Sequence, residues 1–294
     1  MEYETIEITN EVRGSLPGEF IELSDGYVHY DLAGPEDGEV VVLVHGFSAG
    51  AFVWDNNFEY LVAEGFRVLR YDLYGRGFSD RPKVRYNFEL FTQQLHELVN
   101  KLGLTQGKLN LVGLSMGGGV CVIFTDLYPE LVNRVSLIDP MGFSVGGYSN
   151  RILYWMMKMP GLNRLFKRYM NHEFLLESQK EDFPESTVID DYLNKYREQL
   201  RYKGFLRAIH STASNLEFTG LRDTYERIGK RVPMQLFWGV EDKTIPFHVS
   251  KEVLEAVPSI KFHPIMHAGH QPQYSHAQEV NRQLGEFLKQ QQLV

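Results

Sequence analysis

Residues 113–117, Gly-Leu-Ser-Met-Gly, hold the side chain best placed for covalent chemistry. A short apolar run (Leu109, Leu111, Val112) leads into them, and Gly118 to Phe124 reads as the start of a buried helix. This is G-x-S-x-G between a strand and a helix. The flanking glycines suit a turn too tight for side chains. Ser115 at its apex holds a hydroxyl clear of the backbone at a helix start, where unpaired N–H groups and the positive helix end favour developing negative charge. The competing reading is a glycine-rich turn whose serine only caps the helix.

A serine hydroxyl becomes a nucleophile only with a base in reach, and the base needs a carboxylate to orient it. In open parallel sheets ligand sites lie outside the carboxyl ends of the strands, so the partners belong just after later strands. After the strand at 234–239 stand Glu241 and Asp242, and after that at 260–266 stand His267 and His270. Asp242 is the expected acid, with Glu241 as rival. His270 is the expected base, because it follows Gly269 on a loop and precedes Pro272; His267 is the rival. An acyl oxyanion needs two N–H donors. They are expected from the backbone of Met116, after the serine, and of Phe47, on the loop after the strand at 40–44. His45 beside it reads as a loop histidine bonded to neighbouring backbone.

The elements follow from periodicity. Residues 19–34 alternate as a hairpin through Asp25-Gly26. Val40 to Val44 form a β-branched run, as in a strand buried on both faces. A helix is expected around 52–63, a strand at 66–71, a helix at 88–102, the strand–Ser115–helix unit at 109–128 and a strand at 134–139. Strands alternating with helices predict a parallel α/β sheet with helices on its faces. The alternation breaks over 141–230, which reads as helical, and resumes from 233. The chain is therefore expected to be a core of residues 1–140 plus 231–294, interrupted after the sixth strand by a helical cap at 141–230.

The 294 residues carry a net charge of −8, with Lys and Arg scattered, against a nucleic-acid footprint. No apolar run reaches membrane-spanning length. The N-terminus has neither a basic nor an apolar signal region. The single cysteine, Cys121, permits no internal disulfide and suits a reducing compartment, so a cytoplasmic protein is expected. No metal cluster and no dinucleotide fingerprint stands in the sequence; no cofactor is expected. Tyr154, Trp155, Met156, Met157, Met159, Leu162, Leu165 and Phe166 crowd one stretch that could either line an apolar acyl pocket or pack the cap onto the core. Trp155, Met156 and Phe166, with Trp54 near the Phe47 loop, are the candidate substrate contacts.

HGFS at 45–48, DLYGRGFSD at 72–80, GLSMGG at 113–118, GVEDKTIP at 239–246 and HAGHQP at 267–272 together resemble the α/β-hydrolase superfamily, in its cap-bearing serine esterase and lipase-like branch. The resemblance implies Ser115 as nucleophile, Asp242 as acid and His270 as base, and a structural role for Asp72 and Gly75-Arg76-Gly77. Serine at the nucleophile position separates the chain from dehalogenases and epoxide hydrolases of this fold, which use aspartate. HGFSAG differs from the His-Gly-Gly-Pro-Gly loop of proline-type aminopeptidases. Ser275 stands where relatives often have glutamate. The expected activity is hydrolysis of a small-molecule carboxylic ester with an apolar acyl group. Carbon–carbon hydrolases, whose usual glycine-rich oxyanion loop is not matched, and cofactor-free perhydrolases share the serine motif and stay open, as does a ligand-binding receptor on the same fold. Oligomeric state is not encoded in these motifs.

Overall fold

The computed structural model describes residues 2–144, 168–184, 187 and 189–290. Trp155, Met156 and Phe166, and the rest of the Met/aromatic stretch, lie outside the described residues.

Eight strands form one sheet in the order β1-β2-β4-β3-β5-β6-β7-β8. They are β1 (Glu19–Leu23), β2 (Gly26–Ala33), β3 (Val40–Val44), β4 (Arg67–Tyr71), β5 (Leu109–Leu114), β6 (Val132–Ile138), β7 (Met234–Gly239) and β8 (Lys261–Ile265). The β1–β2 hairpin is antiparallel and joins β4 antiparallel; every pairing from β4 to β8 is parallel. The chain steps from β3 outward to β4, then returns across β3 to β5. The order therefore reverses between β3 and β5, where such sheets open a crevice at their carboxyl ends. Val44 of β3 pairs with Gly113 of β5, so the loops carrying Phe47 and Ser115 leave the sheet side by side.

Helices cover both faces. In chain order they are α1 (Asn10–Arg13), α2 (Asp55–Ala63), α3 (Phe88–Lys101), α4 (Met116–Leu127), α5 (His172–Glu181), α6 (Asp190–Gln199), α7 (Phe205–Asn215), α8 (Arg222–Ile228), α9 (Ser250–Ala256), α10 (Pro272–Ser275) and α11 (Ala277–Leu288). β3 shows why a continuous apolar run becomes a central strand. Val42 and Val44 enter the core under α3 and α4, while Val41 and Leu43 enter the core under α2 and α11. Each such side chain withdrawn from water contributes about 1.5–3 kcal/mol. Helices α5 to α8 all lie between β6 and β7 in the chain. The helix expected over 52–63 is instead a 3-10 turn, Ala51–Trp54, followed by α2. That turn directs Trp54 into the core, fully buried.

Candidate active site

Ser115 sits between β5 and α4 with φ +52°, ψ −115°, a strained conformation for a residue with a side chain. Two close approaches fix the flanking glycines. A Cβ at Gly113 would stand 2.6 Å from the Gly117 carbonyl oxygen, and one at Gly117 would stand 2.2 Å from that of Val44. Ser115 occupies the N-cap of α4, yet its hydroxyl makes no capping bond. The hydroxyl is therefore not spent on the helix, which removes the purely structural reading of this serine.

The loop after β3 turns across the start of α4. Among the described residues, neither the Phe47 nor the Met116 N–H has an acceptor. Arg76 fixes the Phe47 peptide: it is fully buried, donates through Nε to the Phe47 carbonyl at 2.8 Å, and through Nη2 to Thr212 on α7 at 2.8 Å. His45 accepts the Leu73 N–H at Nε2 (2.9 Å) and so donates from Nδ1 to the Gly46 carbonyl (2.9 Å). Burial pushes its pKa down to about 4. A neutral ring with both nitrogens occupied is a loop brace and has no capacity left as a base.

Asp242 and His270 come together from the loops after β7 and β8. Asp242 Oδ1 accepts the N–H groups of Thr244 (2.7 Å) and Ile245 (2.8 Å). Its Oδ2 lies 2.7 Å from His270 Nδ1. The carboxylate can only accept, so Nδ1 donates and Nε2 is left to act as a base. Both side chains are buried, 0% and 6% exposed. The rivals pair elsewhere: Glu241 and His267 meet at 3.2 Å with side chains 53% and 81% exposed. That second pair is on the surface, and neither residue lines the cavity that holds Ser115.

Ser115, His270 and Phe47 line one cavity of about 300 Å³. Its opposite wall comes from the insertion: Met170, then Phe174, Leu175, Ser178, Gln179 and Glu181 of α5, then Asp182. Trp54 is not among the residues lining it; the 3-10 turn packs the indole among Val53, Leu61 and other core residues, so its candidacy as a substrate contact is corrected. Asp182 carries no local motif, and Gln271, though it lies within HAGHQP, was given no role in the sequence. Asp182 accepts from Thr244 Oγ1 (2.7 Å) and Gln271 Nε2 (3.3 Å), and Gln271 continues to Tyr192 and Gln179.

Asp139, at the end of β6, is a third carboxyl near the pair. Its φ is +41°, it accepts the Gly239 N–H at 2.9 Å, and its Oδ2 has no partner among the described residues. One ligand-type atom each of Asp139, Asp242 and His270 lie within 4.8 Å of one another. The Asp242–His270 bond already occupies two members of that group. Burial, then the Asp242 charge, hold the Asp139 carboxyl well above the ordinary range. Burial opposes protonation of His270, but the Asp242 charge and hydrogen bond, with Asp182 and Asp139 behind them, push its pKa up to about 10.

A strained serine at a strand-to-helix turn, two open N–H groups beside it and a buried carboxylate–imidazole pair on later strand ends define a hydrolase site on a doubly wound sheet. A family model described as alpha/beta hydrolase fold matches residues 39–277. The chain belongs to the α/β-hydrolase family. It is 30% identical over 287 residues to a 2-hydroxy-6-oxononadienedioate/2-hydroxy-6-oxononatrienedioate hydrolase of Cupriavidus pinatubonensis, covering 92% of this chain and 94% of that one. It is 28% identical over 277 residues to a 2-hydroxy-6-oxo-6-phenylhexa-2,4-dienoate hydrolase of Burkholderia cepacia, covering 90% and 92%. Among solved structures, a thermophilic esterase from Thermogutta terrifontis superposes with a TM-score of 0.76 at 25% identity, covering 92% of this chain and 98% of that one. Among the described residues no helix is long and apolar enough to cross a membrane.

Proposed function

We propose that this chain is a serine hydrolase that attacks a carbonyl carbon with Ser115 and passes through an acyl-enzyme. The observation that carries the reading is the buried His270–Asp242 bond, 2.7 Å long, at the cavity that Ser115 lines. His270 Nε2 takes the Ser115 proton as Oγ bonds to the carbonyl carbon, while the Phe47 and Met116 N–H groups hold the oxyanion. The imidazolium returns that proton to the leaving fragment. Water, deprotonated by the same nitrogen, then releases the acid. Asp242 holds the ring in the required tautomer throughout. The insertion, residues 141–230, acts as a cap whose α5 face meets the acyl group.

For the bond cleaved, the relatives favour a carbon–carbon bond beside a ketone over the ester expected from sequence: one is named for a 6-oxo dienedioate and trienedioate, the other for a 6-oxo-6-phenyl dienoate. Ester cleavage is the second reading, supported by the esterase of matching fold. Parallel kinetics on a 6-phenyl dienoate ketone and a series of p-nitrophenyl esters decide between them. The ketone should show the higher kcat/KM, and Ser115→Ala should lose at least about 10³-fold on both. Full turnover by Ser115→Ala would remove the serine mechanism altogether.

A further inference from the structure

The loop from Gly46 to Ala51 carries the Phe47 N–H, and side chains tie its backbone down at successive residues. His45 Nδ1 holds the Gly46 carbonyl at 2.9 Å, Arg76 Nε holds the Phe47 carbonyl at 2.8 Å, and Asp72 Oδ1 accepts the Ala51 N–H at 2.7 Å. These three come from the core. The tie at Ser48 comes from the insertion. Gln199, the last residue of α6, donates through Nε2 to the Ser48 carbonyl at 2.9 Å. Its Oε1 accepts the Gly77 N–H, also at 2.9 Å. Ser48 follows Phe47 and Gly77 follows Arg76, so Gln199 closes a ring with the Arg76–Phe47 bond. Gln199 is 1% exposed, which keeps water from competing for either bond. The end of α6 is itself fixed: Glu4 and Ile6 donate their N–H groups to the Leu200 and Arg201 carbonyls, at 2.9 and 3.0 Å.

A peptide unit is planar, so the aim of the Phe47 N–H follows the plane of the Gly46–Phe47 unit. Gly46 has no side chain to restrict that plane, which leaves the restraint to the bonds along the loop. An oxyanion donor contributes most when it is already aimed as the charge develops. We propose that Gln199 is a positioning residue for the oxyanion hole: it holds the loop at Ser48 from the insertion, so that the Phe47 N–H needs no reorganisation when the oxyanion forms. The inference rests on Ser115 being the nucleophile and Phe47 an oxyanion donor. It gives the insertion a part in the rate of bond cleavage, apart from any contact it makes with the acyl group.

Gln199→Met keeps a similar shape and removes both bonds. Loss of an oxyanion donor outright costs about 10²–10³ in kcat, so loosening one should cost about tenfold. On p-nitrophenyl butyrate, kcat should fall by about that factor while KM stays within about twofold. An alkyl trifluoromethyl ketone, to whose carbonyl carbon Ser115 Oγ adds as its proton passes to His270, should bind about tenfold more weakly. The alcohol of the same carbon skeleton, which places no oxyanion there, should bind as it does to wild type. Gln199→Glu keeps the test alive if the methionine variant is unstable. A protonated carboxyl can still donate to the Ser48 carbonyl and a carboxylate cannot, so its kcat relative to wild type should fall as pH rises. An unchanged kcat and ketone affinity in Gln199→Met overturns the inference while leaving the serine reading intact. So does equal weakening of the ketone and the alcohol, or a Gln199→Glu ratio that does not vary with pH. Failure of the wild type to turn over the ester or to form the ketone adduct at Ser115 overturns the serine reading itself, and this inference with it.

Discussion

His270 faces three carboxyl groups, and their number decides the pH at which it can work. Asp242 is bonded to it, while Asp182 and Asp139 act on it through space. An unperturbed imidazole titrates near pH ~6.5. The raised value, about 10, moves the activity limb upward, because only the neutral ring accepts the Ser115 proton. Activity should still be climbing between about pH 7 and 9. In Asp242→Asn the strongest raising influence is gone. The limb should fall back towards pH ~6.5 while kcat drops by about 10²–10⁴. A wild-type plateau already reached at pH 6 would contradict this electrostatic picture. The Ser115, Asp242 and His270 positions were legible because each follows a strand in a short, recognisable stretch. Asp139 had a similar signal, an aspartate at the carboxyl end of β6, but no spacing that tied it to the histidine. Asp182 had none: it joins the site from just beyond α5, through Thr244 and Gln271.

At the scale of the element, the turn between β5 and α4 depends on the absence of side chains. Gly117→Ala would drive a Cβ to 2.2 Å from the Val44 carbonyl oxygen and 2.5 Å from that of His45, both backbone atoms of the adjoining strand and loop. Neither can swing aside as a side chain can. The expected cost is about 3 kcal/mol or more, read as a lowered urea midpoint, against about 1–3 for ordinary overpacking. A substitution within about 0.5 kcal/mol of wild type would mean the turn has slack that these distances deny. The same scale explains the error at Trp54. Proximity in sequence to the Phe47 loop suggested a pocket residue, but one turn of 3-10 helix before α2 rotates the indole into the core. Strand positions and a mostly parallel sheet were recoverable from the β-branched run at 40–44 and the later strands; the order in which they pair was not. Which helix of the insertion would reach the serine was not, since α5 and α6 have similar amphipathic patterns in a stretch without strand landmarks.

Across the whole molecule, one buried pair couples fold stability to pH. Asp72 accepts the Ala51 and Phe78 N–H groups and meets His29 Nδ1 at 2.7 Å, joining β2 to the loops after β3 and β4. Burial works against its charge, but the His29 bond and charge prevail and hold its pKa well below normal. That contribution is present above the unfolded value, about pH 4, and is lost as pH falls below it. His29 is held above its ordinary value because Asp72 outweighs burial. Its contribution is full below about pH 6.5 and is lost as pH rises through the folded value. Stability from this pair should therefore be greatest between about pH 4 and 6.5. Asp72→Asn should flatten that dependence and cost about 3 kcal/mol in urea denaturation. An unchanged pH dependence would assign the stability maximum to other groups. The insertion adds a functional coupling on the same scale. If α5 meets the acyl group, each further CH₂ that fits should raise kcat/KM about fourfold, from about 0.8 kcal/mol of burial, until the cavity is full. Phe174→Ala should move the optimum to longer chains. A flat profile from C2 to C16, unchanged in Phe174→Ala, would place acyl selection outside α5.

The most direct test of the serine assignment is intact-protein and peptide mass analysis after treatment with a fluorophosphonate. One adduct should form, it should map to Ser115, and it should vanish in Ser115→Ala and slow by at least about 10²-fold in His270→Ala. An adduct at any other residue, or labelling of Ser115→Ala at the wild-type rate, would contradict the assignment of Ser115 as the nucleophile.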